Sequence, residues 1–367
     1  MMWVAVIILY LTFVRMMVAL ANLTVRPLAG QRKKTSGQLV SVLVPARNEE
    51  ATVGRLLDSL MQQDYEQFEV IVYNDSSVDG TGEILRHYGS IDNRIRHIDG
   101  ADLPDGWLGK NHACHRLAEK AAGEFLLFID ADVTAAPELL SISVARMDDQ
   151  RLSLLSVFPF QIMESRGERV VVPVMNWILL SLLPMALVRR CKWSSFSAAN
   201  GQFMMFRTSV YKRYWFHQRV KMRMTEDIVI ARLMKRMRLR VETLVSRGGD
   251  VSCRMYRNYE EAVRGFSKNV ITMFGDSYLF IGFFVLVAAL GWLPVYIGLG
   301  LHGALGYAVM AVVINISVAS AGGQNIAGAL LLFPERMVAF FRIVAGAFAA
   351  RYRKSYTWKG REISEIV

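Results

Sequence analysis

"EFLLFIDADV", residues 124–133, is the stretch on which the reading of this chain turns. Five of the six residues before Asp130 are apolar, the pattern of a strand buried on both faces of a sheet. The run ends in two carboxylates, Asp130 and Asp132, with only Ala131 between them. A turn would account for them, because Asp suits strand ends. In isolation the turn is the simpler reading; a site for a cation and phosphate oxygens is the alternative, and the surrounding chain has to decide.

From about residue 38 strand and helix signals alternate. "QLVSVLVPA" (38–46) is a β-branched run, followed by a helical pattern from Glu49 to Met61; "FEVIVY" (68–73) is the next strand, and Asp79-Gly80-Thr81 opens another helix. "RIRHID" (94–99) is a short third strand, 110–122 reads as a helix, and "EFLLFI" follows. This order predicts an α/β fold with a mostly parallel, doubly wound sheet. Ligands in such sheets bind beyond the carboxyl ends of the strands, where Asp75 and Asp130 both fall. No G-x-G-x-x-G follows the first strand and no G-x-x-x-x-G-K-[ST] occurs, which argues against dinucleotide oxidoreductases and P-loop NTPases.

The composition adds a membrane. Apolar residues make up 53% of the 367, and 43 Lys and Arg against 32 Asp and Glu give a net charge of +11. The basic residues gather near predicted membrane boundaries and in "VKMRM" and "RLMKRMRLR", so an anionic membrane face explains them better than a nucleic acid. Cys114, Cys191 and Cys253 form no pair pattern and fit reduced thiols. His112, Cys114 and His115 could ligate a metal, although His at this spacing is common on ordinary helices.

Residues 1–23 are apolar enough to span a bilayer, interrupted by Arg15. Ala19-Leu20-Ala21 resembles a signal-cleavage site, but no basic segment precedes the run; Arg26, Arg32, Lys33 and Lys34 follow it instead. The reading is an uncleaved anchor with the N-terminus outside, and a basic linker over 24–37 on the cytoplasmic side. The α/β domain is expected from about 38 up to the next apolar run. Two spans are expected over 277–322, roughly 277–300 and 304–322, with their link at the outer face. An interfacial helix or hairpin and a basic cytoplasmic tail complete 323–367. Residues 170–188 read as a helix lying in the cytoplasmic interface, because a crossing there would put a strongly basic segment outside.

The D-x-D suits Mg²⁺ or Mn²⁺, hard cations that take one or two carboxylates and share substrate phosphates. "YNDSSVDGT" places Asp75 where it could accept hydrogen bonds from a nucleobase. "GWLGK" puts Lys110 near a helix start, a natural phosphate partner. "TED" (225–227) makes Thr225 a helix N-cap with Glu226 and Asp227 in the first turn, where the helix dipole favours an ionised general base.

"VSVLVPARNEE", "YNDSSVDGT", "IDADV" and "TED", in this order, resemble a family 2 glycosyltransferase of the GT-A fold, over about 38–270. "GWLGK", the flanking spans and "YTWKGR" resemble membrane-bound bacterial enzymes that glycosylate carotenoids, hopanoids and similar lipids. The resemblance implies that Asp75 contacts the base of a nucleotide sugar, with Pro45 and Glu49 lining that pocket, and that Asp130 and Asp132 hold the metal on the diphosphate. It implies Asp227 as the base, supported by Glu226, and inversion at the anomeric carbon. Processive relatives carry Q/R-x-x-R-W after the TED; here Arg254 and Arg257 remain, as candidate diphosphate ligands, but Asn258 replaces the Trp. Transfer of one sugar, from a donor such as a UDP-hexose to a hydroxyl or carboxyl of a lipophilic acceptor at the inner membrane, is therefore expected. The alternatives are a polysaccharide or polyprenyl-phosphate glycosyltransferase, a nucleotidyltransferase, and a non-enzymatic docking module.

Overall fold

The computed structural model describes residues 1–353 and the backbone of 356–358 and 361–363, with no side-chain description from 350 onward. Lys354 and Lys359 of the expected basic tail lie outside the described residues, whereas Tyr356–Trp358 and Arg361–Ile363 pair as a short antiparallel hairpin. The chain forms two compact units. One comprises Pro27–Ile162 and Val188–Met255, with the described C-terminal hairpin; the other comprises Met1–Arg26, Met163–Leu187 and Tyr256–Arg353. Residues 163–187 and 256–270, expected inside one catalytic block, thus cluster with the helical segments.

The first unit is built on ten strands: β1 (Val40–Ala46), β2 (Phe68–Asn74), β3 (Ile95–Asp99), β4 (Phe125–Ile129), β5 (Val133–Ala135), β6 (Leu154–Phe158), β7 (Phe160–Gln161), β8 (Phe203–Arg207), β9 (Val241–Val245) and β10 (Val251–Cys253). Seven of them form one sheet in the order β3-β2-β1-β4-β8-β6-β9. Only β8 runs antiparallel to its neighbours, so the sheet is mostly parallel. Val40, Val42, Leu43 and Val44 of β1 and all of β4 are buried, as strands with both faces covered require. The order reverses between β1 and β4, which opens a crevice beyond their carboxyl ends. A small sheet, β5-β10-β7, follows directly from the D-x-D.

The β1–β4 seam tolerates no extra atom at Gly123. The Ser41 hydroxyl donates to Glu69 Oε1 at 2.6 Å and accepts from the Gly123 amide at 2.8 Å. A Cβ on Gly123 would stand 2.6 Å from Ser41 N and 2.7 Å from Leu39 O, backbone atoms that cannot turn aside.

The helical unit departs from the expected elements in three places. The 170–188 segment is not one helix: Arg166–Val171 and Pro173–Leu182 are followed by extended Leu183, and Met185–Arg190 starts afresh. Pro184 lacks the N–H that a continuing helix would use. Asn22 of the Met2–Leu23 helix fills the gap, its amide donating to Leu180 O and Leu183 O at 2.8 and 2.9 Å and accepting from Met185 N at 2.8 Å. Next, the expected break at 301–303 falls at Gly300 (φ 65°), and a second lies at Gly291 between Tyr278–Leu290 and Trp292–Ala321. Pro294 sits in the first turn after it, where its missing N–H costs nothing. Finally, 325–350 holds Ile326–Leu331 and the helix Phe333–Arg353, whose Pro334 also sits in a first turn. Among the described residues, Met2–Leu23 and Tyr278–Ala321 are long and apolar enough to cross a bilayer, and Trp3, Tyr10, Leu279 and Leu286 are among their exposed apolar side chains.

Gly123→Ala should destabilise the protein by about 2 kcal/mol through overpacking against backbone. Thermal unfolding in detergent micelles checks this, with Gly282→Ala, which has open space around it, as the neutral comparison.

Candidate active site

The crevice beyond β1 and β4 is a cavity of about 180 Å³, and Pro45, Glu49, Asp75, Lys110, Asp130 and Asp132 all line it. Two turns shape its floor. After β1, Asn48 adopts a left-handed backbone (φ 52°), and after β2 Ser76 does the same. The turns brace each other: Asn48 N–H donates to Ser77 Oγ at 3.0 Å and Val78 N–H to Asn48 Oδ1 at 3.0 Å. Asp75 is held by its N–H on Ala46 O at 2.8 Å. Glu49 accepts from the Thr52 hydroxyl at 2.7 Å.

Arg47, absent from the candidates above although it lies in the "PARNEE" run, also lines the cavity. Its guanidinium donates to Asp75 O at 2.6 Å and stands 3.9 Å from Asp75 Oδ2. A charged residue one step past a strand end was the available signal.

Lys110 occupies the second position of the Gly109–Lys120 helix. Its ammonium contacts both Asp130 oxygens, at 2.9 and 3.0 Å, and Glu226 Oε1 at 3.2 Å. It therefore ties the strand-end carboxylates to the TED turn. Burial works against the Lys110 charge, but Asp130 and Glu226 outweigh it and hold the ammonium well above its ordinary value. Asn111 supports this junction, donating from one buried amide to Val220 O, Lys221 O and Arg223 O at 2.9, 3.3 and 2.9 Å. Those carbonyls belong to the loop that leads into Thr225, and no sequence motif signalled the contact.

Glu226–Arg236 is a helix with Thr225 at its N-cap position, but the expected side-chain cap is missing: Thr225 makes no capping hydrogen bond. The Asp227 side chain takes over, accepting from Ile228 N at 2.7 Å and from Gly201 N at 2.9 Å. Gly201 is a second residue without a sequence signal. A Cβ there would meet Glu226 Oε1 and Lys110 Nζ, both at 3.0 Å. The expectation that the helix start favours an ionised Asp227 is reversed in direction, because burial raises its carboxyl despite those two amides. A raised carboxyl is nearer the proton affinity that a base at neutral pH needs.

Two carboxylates are available to a divalent cation that would take its other ligands from substrate phosphates and water; among the described residues no group of three or more His, Cys, Asp or Glu gathers to hold one. Asp130 and Asp132 share the cavity, and Asp132 Oδ1 is buried with no hydrogen-bond partner. Burial, with the nearby charges of Asp130 and Glu49, pushes Asp132 up to about 7. Burial also pushes Glu226 up to about 7, against the pull of Lys110. Shifts of this kind cluster at functional sites and also arise in buried ion-pair networks.

Arg254 follows β10 in this unit but does not line the cavity. Arg257 belongs to the helical unit, where its N–H donates to Glu261 Oε2 at 2.9 Å. Asn258, in the position of the Trp of processive relatives, caps the Tyr259–Ser267 helix by accepting from Glu261 N at 2.9 Å. His112, Cys114 and His115 form no metal cluster among the described residues; Trp107 stacks on His115 instead.

Residues 41–215 match the family model of glycosyl transferase family 2. The chain is 27% identical over 282 residues to 4,4'-diaponeurosporenoate glycosyltransferase of Staphylococcus haemolyticus, covering 74% of this chain and 71% of that protein. It is 39% identical over 128 residues to the protein of the same name in Staphylococcus aureus strain USA300, a match spanning 34% of this chain and 32% of the relative. In fold it is similar to a mannosyltransferase of Pyrobaculum calidifontis solved with GDP-Man and Mn²⁺, at a TM-score of 0.54 and 17% identity, over 96% of this chain and 99% of that one.

Asp132 and Glu226 release protons on unfolding, since their carboxyls fall from about 7 to 3.8 and 4.5. A raised folded value stabilises below the unfolded value, and that contribution is lost as pH climbs to about 7. In chelator the melting temperature should therefore fall between pH 5 and pH 8, and Asp132→Asn should flatten the slope. Scanning calorimetry of both proteins in one detergent gives the comparison.

Proposed function

We propose that the chain is a membrane-bound inverting glycosyltransferase that moves one sugar from a nucleotide-diphosphate sugar, such as a UDP-hexose, to a hydroxyl or carboxyl of a lipophilic acceptor such as a carotenoid or hopanoid. The observation that carries this reading is the single cavity that gathers Asp75, Asp130, Asp132 and Lys110, joined to the TED turn by the Lys110–Glu226 ion pair. A nucleotidyltransferase would share the donor groups but has no need of that turn. The carotenoid relative supports a lipophilic acceptor, and the apolar helices support a membrane-bound enzyme.

In this reading Asp75, between Pro45 and Glu49, accepts hydrogen bonds from the nucleobase. Asp130 and Asp132 hold Mg²⁺ or Mn²⁺, which neutralises charge on the departing diphosphate. Lys110 binds the same diphosphate. Asp227 takes the proton from an acceptor hydroxyl as its oxygen attacks the anomeric carbon from the face opposite the leaving group, and Glu226 keeps Lys110 in place beside it. One displacement with one base inverts the configuration. Asn258 leaves no aromatic platform for a growing chain, which favours a single transfer. An acceptor carboxylate is already ionised and has no proton to give, so the Asp227 requirement reports the acceptor class.

Two outcomes follow. Membranes given a panel of nucleotide sugars should form a glycolipid, read by mass spectrometry of the lipid extract, and chelator should abolish it until Mg²⁺ or Mn²⁺ is returned. With a hydroxyl acceptor, Asp227→Asn should lower turnover by about two to four orders of magnitude while donor affinity holds; with a carboxylate acceptor the loss should be small. Activity undiminished by chelator, or Asp227→Asn failing only in donor binding, would sink the assignment.

The orientation proposed is cytoplasmic for the cavity, with the N-terminus outside. In a Cys191→Ser background, Cys placed at exposed Ser195 should react with an impermeant maleimide only after the membrane is opened. Labelling of intact cells would reverse the orientation.

A further inference from the structure

The Lys110 ammonium sits where a cation bound to Asp130 has to act. It touches both Asp130 oxygens and Glu226 Oε1 within 3.2 Å, while Asp132 Oδ1 in the same cavity is buried without a partner. The cavity therefore has one carboxylate already neutralised from within the chain and one that is not. We propose that Lys110 is a place-holder cation, which occupies Asp130 when donor is absent and competes there with the divalent ion, passing to the donor's diphosphate when nucleotide and metal enter together. This rests on the metal being held by Asp130 and Asp132.

The physical reason is that an ammonium and a divalent ion sharing one carboxylate repel at contact range, at a pair whose side chains are only 25% and 26% exposed. Lys110 has a long flexible stem and a second anchor in Glu226, and Gly201 leaves room beside both. Metal alone then pays for displacing Lys110 with nothing to receive it. Metal with a nucleoside diphosphate offers Lys110 new anionic partners. The two ligands should bind cooperatively, and linkage makes the effect mutual. Lys110 would thus prevent the acidic cavity from filling with a cation that brings no sugar donor.

Mn²⁺ binding without turnover tests this. The full-length protein in micelles, stripped of metal, is titrated with Mn²⁺ alone and with Mn²⁺ plus UDP, and free Mn²⁺ is read by electron paramagnetic resonance. Lys110→Met should bind Mn²⁺ alone about tenfold more tightly than wild type, and UDP should improve its Mn²⁺ affinity much less. Lys110→Gln should behave alike, and size-exclusion chromatography confirms that each variant is folded. Arg47→Gln, which removes a charge at the cavity without freeing Asp130, should change Mn²⁺ affinity by less than about threefold. An equal gain in Arg47→Gln would reduce the effect to a general field and overturn the proposal. So would Mn²⁺ uptake that requires Asp132 yet is no tighter in both Lys110 variants, with the metal assignment left standing. Uptake indifferent to Asp132→Asn would remove the metal assignment itself, and the place-holder with it.

Discussion

Asp130, Asp132, Glu226 and Asp227 are brought to one region of the fold around a single ammonium, and the site depends on that compensation. Carboxylates crowded out of water repel one another and favour protonation, which is why burial raises Asp132, Glu226 and Asp227 together. Lys110 offsets part of this by pairing with one carboxylate from β4 and one from the TED turn. Asn111, the next residue, anchors the loop before that turn by three hydrogen bonds. One helix start therefore supplies both the counter-charge and the mechanical tie between the strand-end acids and the TED turn.

The same need for compensation governs the helical unit, where a broken helix leaves backbone groups to be paired. The break at Leu183 and Pro184 frees carbonyls and an amide, and buried backbone groups left unpaired are costly. Asn22 reaches across from the first helix and satisfies three of these groups with one side chain. Arg15 of that helix stands 4.6 Å from the rings of Trp177 and Phe284 and donates to Ser181 Oγ at 3.1 Å. Polar residues that look like interruptions of an anchor are in fact its connections to the segment around 173–185.

Several features were legible in the chain itself. The apolar run closing on Asp130 and Asp132 marked β4 and the position of the acids that follow it, because five apolar residues in a row read as a strand buried on both faces. Period and punctuation fixed the strand–helix order, hence the parallel sheet, hence the crevice to which Pro45, Asp75 and Asp130 must point. The apolar lengths of 1–23 and 277–322 marked the helices long enough for a bilayer. These are properties of neighbours in sequence, and local sterics and hydrophobicity are enough to set them.

The rest needed the folded chain. That Lys110 faces two carboxylates rather than waiting free for a phosphate depends on residues 20 and 116 positions further along. Arg47 on Asp75, the Gly201 amide on Asp227, and the side chain of Asp227 replacing Thr225 as the helix cap are likewise long-range or register-dependent contacts. The rise in the buried carboxyls reverses what the helix dipole alone would give, because desolvation is set by everything packed around a group. Sequence determined which acids and bases the chain possesses and at which strand and helix ends they stand; tertiary structure decided which of them meet, since distance and dielectric exist only once the chain is folded.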